Sequence, residues 1–324
     1  MKYLVTGATG LLGNNVVRQL LDAGHEVRVL ARDPAAKPLA GLAVESVAGD
    51  IRDAGPVRNA CEGVEVVVHA AGHVHIGWKG LDLARRINVE GTRNIASASR
   101  AAGARLVHVS SVNALGLGAL ANPASEDDAL PQPLSIPYVL TKREAEQVVQ
   151  EEVARGSWGV IVNPGTMFGP WDWKPSSGQM LLEVTKFALF APLGAGCFCD
   201  VRDVAAGAIA AAARGQPGRR YILGGQNLSF RDCWTRIAAL AGKPGPRLPM
   251  GAIFRAIASP IADLMNCFSQ TEGSANSAAL AMSRQEHCFS SARAERELGY
   301  ACRPIEESLA DAWAWFGEQG YRRK

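Results

Sequence analysis

The strongest constraint on this chain lies at its start. Gly7-Ala8-Thr9-Gly10-Leu11-Leu12-Gly13 follows the apolar segment Tyr3 to Thr6 and opens the helical pattern Leu11 to Ala23. A strand that passes through glycine-spaced backbone into a helix uses the first glycine for a tight turn, the second for close approach of an anion, and the third for helix-to-strand packing. The first N–H groups of that helix lack internal partners and point together, which suits a pyrophosphate. Gly7, Thr9, Gly10, Leu11, Leu12 and Gly13 are therefore expected at a dinucleotide. Glu26 to Ala31, after the Gly24 stop, reads as the next strand and completes a βαβ unit.

The alternation continues with strands at Ala43 to Ala48, Val64 to Ala70 and Arg105 to Ser110, and helices at Pro56 to Cys61 and Asp82 to Ala102. Continuous apolar strands such as Val64-Glu65-Val66-Val67-Val68 indicate a parallel sheet covered on both faces. The expected fold is α/β, a Rossmann-type doubly wound parallel sheet with a smaller, interleaved C-terminal substrate domain. A helix at Pro137 to Ala154 and a strand at Trp158 to Asn163 resume the sheet. The Pro- and Gly-rich stretch that follows, irregular around a helix at Gln179 to Ala188, is expected to face substrate. Residues 1–163 are assigned to the dinucleotide domain, 164–197 mainly to the substrate-facing segment, 198–216 to a return to the first domain, and 217–324 mainly to the small domain. Arg220 to Leu223 is placed in that small domain, Ile253 to Met282 reads as helical, and Phe268 to Ala279 as a mobile stretch.

Composition removes several function classes. In 324 residues, 34 Lys plus Arg against 31 Asp plus Glu leave +3, and no basic cluster carries interleaved aromatics, so no nucleic-acid partner is expected. The seven cysteines have no repeated metal-ligand spacing and read as reduced thiols; no metal is assigned, even to the pair Cys197 and Cys199. The first residues are too short in apolar run for a secretory segment, and no window approaches eighteen uninterrupted apolar residues. The expectation is a cytoplasmic chain without membrane insertion.

Chemistry is concentrated at Tyr138-Val139-Leu140-Thr141-Lys142, where Tyr and Lys four apart in a helix share a face. An ammonium beside the phenol is expected to lower the phenol's pKa and ease proton transfer. Ser111, after the strand ending near Val109, is placed to hold a substrate oxygen. With a nicotinamide delivering hydride, the set suits reduction of a carbonyl or oxidation of an alcohol. At the end of the second strand stands Leu30-Ala31-Arg32-Asp33, with no carboxylate at Ala31 for ribose hydroxyls. Arg32, with Arg28 nearby, suits a 2′-phosphate, which favours NADP while leaving NAD open. Asp50 and Ile51 are expected to border adenine, and Ala70, Ala71 and Gly72 to admit the cofactor.

These motifs together resemble the extended short-chain dehydrogenase/reductase family, in the NAD-dependent epimerase/dehydratase superfamily. The likeness spans most of the chain and includes Asn88-Val89-Glu90-Gly91-Thr92, Asn163-Pro164-Gly165 and Asp200-Val201-Arg202-Asp203-Val204-Ala205. It implies that Ser111 orients the reacting oxygen, Tyr138 transfers the proton, and Lys142 also contacts the nicotinamide ribose. It further implies that Asn88 supports the active-site helix and a relay water, and that Pro164 lies against the cofactor. Dihydroflavonol reductases, steroid dehydrogenases and a hopanoid-associated group of sugar epimerases are the most similar subgroups. Asn163 stands where nucleotide-sugar epimerases commonly have Arg before Pro, so a reductase leads and an epimerase or dehydratase with tightly held NAD is the alternative. Substrate contacts are expected from His73, His75, Trp78, Asn113, Met167, Phe168, Trp171 and Trp173. The resemblance also implies a homodimer through the helices Asp82 to Ala102 and Pro137 to Ala154, although a monomer fits the same composition.

Overall fold

The structure, a computed structural model, describes residues 1–128, 134–186, 189–251 and 276–322. Most of the Ile253 to Met282 helix and of the Phe268 to Ala279 stretch lies outside the described residues, as do Phe187, Ala188 and Cys267. The first half alternates β1 (Lys2–Thr6), α1 (Leu11–Asp22), β2 (Glu26–Ala31), β3 (Glu45–Ala48), α2 (Ala54–Cys61) and β4 (Val66–His69). It continues through α3 (Leu81–Ala84), a π-helical segment Arg85–Glu90, α4 (Gly91–Ala101), β5 (Arg105–Val109), α5 (Pro137–Ala154) and β6 (Gly159–Pro164). The helix expected over Asp82 to Ala102 is thus interrupted. The wide turn rolls Asn88 inward, where its side chain is buried and hydrogen-bonded.

A short strand β7 (Thr166–Phe168) follows, then α6 (Ser177–Lys186), β8 (Phe190–Ala191), β9 (Ala195–Asp200), α7 (Val201–Arg214) and β10 (Arg220–Leu223). The chain finishes with β11 (Gln226–Ser229), α8 (Phe230–Leu240), β12 (Leu248–Pro249), α9 (Ser277–Met282), β13 (Glu286–His287), α10 (Ala292–Leu298) and α11 (Ile305–Glu318).

Seven parallel strands in the order β10-β6-β5-β4-β1-β2-β3 form the main sheet. Alternate residues serve opposite faces: Val5, Val66, Val68 and Val107 pack under α1 and α7, while Leu4, Val67 and Leu106 pack under α2, α4 and α5. The alanine-rich stretch has its explanation here, since Ala205, Ala208 and Ala211 of α7 are fully buried and let the helix lie close to the strands. One expectation is corrected. Arg220 to Leu223 does not belong to the second unit; it pairs in parallel with β6, and Tyr221 and Leu223 sit in the main core. A smaller sheet of β7, β9, β11 and β13 lies beyond the C-terminal ends of the main strands in the chain path, with its own core of Phe168, Leu181, Phe198, Ile237, Leu309 and Phe316.

Candidate active site

The order of the main sheet reverses between β1 and β4, and the crevice at the carboxyl ends of such strands is where a dinucleotide binds in a doubly wound fold. Gly7 has φ +73°, and a Cβ on it would stand 2.6 Å from the Ala71 nitrogen. A Cβ on Gly13 would stand 2.2 Å from the Gly7 oxygen, so α1 touches the turn through bare backbone. Gly10 at the head of α1 is exposed, and the helix start has neither a side-chain cap nor an acidic residue in its first turn. Its N–H groups are therefore left for an anion, and the site fits a pyrophosphate. Thr9 is half-buried beside it, whereas Leu11 and Leu12 turn their side chains into the core and offer backbone only. The neighbouring strand end is fixed by Thr6, whose Oγ1 accepts the Ala71 N–H at 3.2 Å and bonds His69 Nδ1 at 2.7 Å. Ala70 and Ala71 are half-buried and Gly72 is exposed. A Cβ at Gly72 would lie 3.4 Å from Lys142 Nζ and 3.3 Å from Asn88 Oδ1, so bare backbone at Gly72 leaves room beside these two side chains.

At the end of β2, Ala31 is buried and Arg32 is exposed, its charge helping to hold the Asp50 carboxyl below its ordinary value. Arg28 does not share that position. Its guanidinium is buried, donating to the carbonyls of Ala60 at 2.9 Å and Glu62 at 2.6 Å and pairing with Glu45 at 2.9 Å, so it ties α2 and β3 to β2. Asp50 is engaged by Arg52 through two hydrogen bonds of 2.9 Å, and Ile51 is a core residue under Gly91 of α4.

The three chemical residues come together. Proline at the first turn of α5 starts the helix that carries Tyr138 and, one turn on, Lys142. Ser111, which follows β5, is near enough to the Tyr138 phenol to act on its titration, and its Oγ accepts the Asn113 N–H at 3.2 Å. Lys142 Nζ donates to the Val109 carbonyl at 2.9 Å. Asn88 braces the same helix: its Nδ2 donates to Thr141 Oγ1 at 3.0 Å and to the His73 carbonyl at 3.1 Å, while its Oδ1 accepts the His73 N–H at 2.7 Å. The electrostatics differ from expectation. Burial pushes the Tyr138 phenol above its ordinary value, with Ser111 opposing. Burial in turn pulls Lys142 down to about 8, with Glu146 opposing.

The expected substrate contacts divide. Met167 is half-buried at the end of the main core, Asn113 lines a small cleft with Leu134, Ile136, Val139, Met282 and His287, and Trp78 is exposed with its Nε1 donating to Ser277 Oγ at 2.9 Å. His73 and His75 stack at 6.1 Å, and among the described residues no group of three or more His, Cys, Asp or Glu could hold a metal. Phe168 is corrected: it is 1% exposed and stacked on Phe198, with no surface for a ligand. Trp171 and Trp173 contact Trp315 of α11 at 6.2 and 5.2 Å, so both anchor the loop after β7 to the second core. The other side of that loop is held by α1: Arg18 lies 3.3 Å over the Trp171 ring and Asn15 donates to the Pro170 carbonyl at 3.0 Å, while Gln19 ties α1 to the first turn of α7 by donating to the Arg202 carbonyl at 2.8 Å.

Between the two tryptophans, Asp172 is buried and accepts N–H groups from Ser176 and Gly178, yet burial still pushes its carboxyl up to about 6. The folded state thus holds this proton more tightly than the unfolded chain, so stability falls as pH rises from about 4 to about 6. Asp172→Asn is expected to flatten that slope and to add on the order of 2 kcal/mol at neutral pH, read by urea unfolding across the range. An unchanged slope would remove Asp172 as its source.

A parallel sheet with a glycine-built anion site at its switch point and a Ser-Tyr-Lys cluster beside it defines a dinucleotide-dependent enzyme of the α/β class. The model of the NAD dependent epimerase/dehydratase family matches residues 3–224, and the chain belongs to that family as an NAD(P)-dependent short-chain dehydrogenase/reductase of the extended type. It is 34% identical to a putative dihydroflavonol 4-reductase of Synechocystis sp., over 98% of this chain and 95% of the other. It is 35% identical to sterol demethylase protein B of Methylococcus capsulatus, over 99% of each. Among solved structures it is similar to a nucleoside-diphosphate-sugar epimerase from Pseudomonas aeruginosa, with 27% identity, TM-score 0.80, and coverage of 100% of this chain and 99% of that one. Among the described residues no helix is long and apolar enough to cross a membrane.

Sequence reasoning did not single out Thr141, Glu146 or Thr6 as parts of the site. Glu146 had a readable signal, four residues beyond Lys142 on the same helix face.

Proposed function

We propose that this chain reduces a ketone or aldehyde of a small, largely apolar molecule, or oxidises the corresponding alcohol, using NADP. The observation that carries the reading is Tyr138 and Lys142 one turn apart on buried positions of α5, with Ser111 near the phenol, beside the glycine-built anion site. When bound, the dinucleotide supplies or removes the hydride. Backbone at Gly7, Gly10 and Gly13 would hold its pyrophosphate, Gly72 leaves room for it to pass, and Pro164 closes the end of β6. Ser111 holds the substrate oxygen. Tyr138, whose phenol stays protonated in its buried setting, gives that oxygen a proton in reduction and takes it back in oxidation. Lys142 orients the cofactor ribose and Asn88 keeps its helix in place. Similarity to a putative dihydroflavonol 4-reductase and to sterol demethylase protein B supports an apolar substrate over a sugar nucleotide.

The domain organisation belongs to the same proposal: the small sheet and its core form a cover for substrate, fastened through Trp171 and Trp173. NADP is favoured because Arg32 is exposed at the end of β2 while no carboxylate stands at Ala31. Arg32→Ala is expected to weaken NADPH about tenfold while changing NADH less than about twofold, in fluorescence titrations at one fixed salt concentration. Equal loss for both cofactors would assign Arg32 to general electrostatics.

The function is tested by incubating purified protein with NADPH or NADH and either a panel of apolar ketones or a panel of sugar nucleotides, following cofactor absorbance and product identity. Ketone reduction with stoichiometric NADPH use is the expected result. Conversion of a sugar nucleotide without net cofactor use would overturn it in favour of the epimerase reading.

A further inference from the structure

Behind the Ser-Tyr-Lys cluster, a partly exposed Arg220 leads into a buried Glu146 and Asn163 that the proposed chemistry does not use. Glu146 is 2% exposed, one turn beyond Lys142 on α5. One carboxylate oxygen accepts Arg220 Nε of β10 at 2.7 Å. The other accepts Asn163 Nδ2 of β6 at 2.7 Å, and the same amide group donates to the Ser111 carbonyl at 2.9 Å. Asn163 is fully buried, so its hydrogen bonds have no competition from water. Four structural elements are thereby joined in one line: β10, α5, β6 and the end of β5.

We propose that Glu146 is a positioning residue for Ser111 and Lys142: through Asn163 it fixes the backbone that presents Ser111, and along α5 it is the counter-charge of the Lys142 ammonium. The inference rests on the Ser111, Tyr138 and Lys142 reading above. A buried carboxylate with both oxygens engaged is costly unless its partners are retained, and its removal leaves Arg220 and Asn163 without their acceptor.

The surroundings of Lys142 isolate this contribution. β4 presents His69 and β5 presents His108, both buried and pulled far toward the neutral form, His69 to about 3. The π-helical segment presents Asn88, which carries no charge. On α5 itself stand Tyr138, protonated by burial, and Glu146. The pairs Arg85–Glu144, Arg93–Glu151 and Arg100–Glu152 between the neighbouring helices and α5 each include an exposed side chain. Glu146 is the carboxylate that acts on Lys142 among the described residues.

The test reads Lys142 directly. In protein carrying [13Cε]lysine, the Lys142 resonance is identified by its loss in Lys142→Arg, and its titration midpoint is expected near 8 in the unmodified chain. Glu146→Gln is expected to lower that midpoint by about one pH unit, Glu146→Asp to restore most of it, and Arg220→Gln to leave it at or above its starting value. Circular dichroism confirms the fold of each variant. A midpoint that stays put in folded Glu146→Gln, or that falls equally in Arg220→Gln, overturns the proposal. If Glu146→Gln does not fold, the comparison of Glu146→Asp with Arg220→Gln decides: a fall confined to Arg220→Gln overturns it. This titration needs no turnover, so its failure is separable from failure of the reductase reading, which Tyr138→Phe tests independently.

Discussion

Tyr138→Phe is expected to lose turnover by roughly 10²–10⁴-fold while keeping its fold and its affinity for dinucleotide. The substitution removes only the hydroxyl, which lies near Ser111, whereas the ring packs with Ile136, Val139 and Ala278 and is retained in the variant. Structure and chemistry are thus separable at one atom. The affinity is checked by fluorescence titration and the rate by cofactor absorbance with the ketone identified in the panel. Turnover equal to that of the unmodified chain would remove Tyr138 from proton transfer. The direction of pH dependence also follows: burial keeps the phenol protonated across the neutral range, so carbonyl reduction should not decline through loss of this acid as pH rises from about 6 to about 9.

Gly13→Ala is expected to cost about 1–3 kcal/mol of stability and at least about tenfold in dinucleotide affinity. The new Cβ would meet the oxygen and carbon of Gly7 at 2.2 and 2.6 Å and the Ala8 nitrogen at 2.9 Å, all backbone atoms with no rotamer to yield. Relief requires α1 to move away from the turn, which displaces the N–H groups that would receive the pyrophosphate. Gly55→Ala in α2 serves as the control, since nothing lies within 4 Å of its Cβ and the substitution should be neutral or stabilising by up to about 1 kcal/mol. Denaturant unfolding together with NADPH titration distinguishes the two. A Gly13→Ala protein with unchanged affinity would place the phosphate site elsewhere.

Local signals made much of this molecule legible before its structure. Proline at the first turn bounded α5, the Gly24 stop bounded β2, and the Tyr and Lys spacing placed two chemical groups on one face. Ser111 required only that the preceding strand end beside α5, as it does. What the sequence concealed was long-range. A strand such as Arg220–Leu223 has the same pattern whichever sheet it joins, and only its pairing with β6 decides. The π-helical turn at Asn88 leaves helical periodicity nearly intact while turning one side chain inward. Apolar character alone did not separate residues that line a cleft from Phe168, Trp171 and Trp173, which close a core. Arg28 and Arg32 read alike on one strand, but Arg28 faces the C-terminal carbonyls of α2 and is consumed by them. The charge balance at Tyr138 was misjudged for a related reason. Proximity to Lys142 was visible, but not burial of the phenol or the turn of the ammonium toward Val109.

The attachment of α1 to the loop after β7 has a practical meaning for engineering. Asn15 and Arg18 lie on the helix whose first turn would form the phosphate site, yet their side chains clasp Pro170 and Trp171. A loop transplanted from a relative to alter substrate choice therefore arrives without its clasp unless those two helix positions travel with it. The heritable unit of specificity in this scaffold is discontinuous, a loop together with one face of a distant helix.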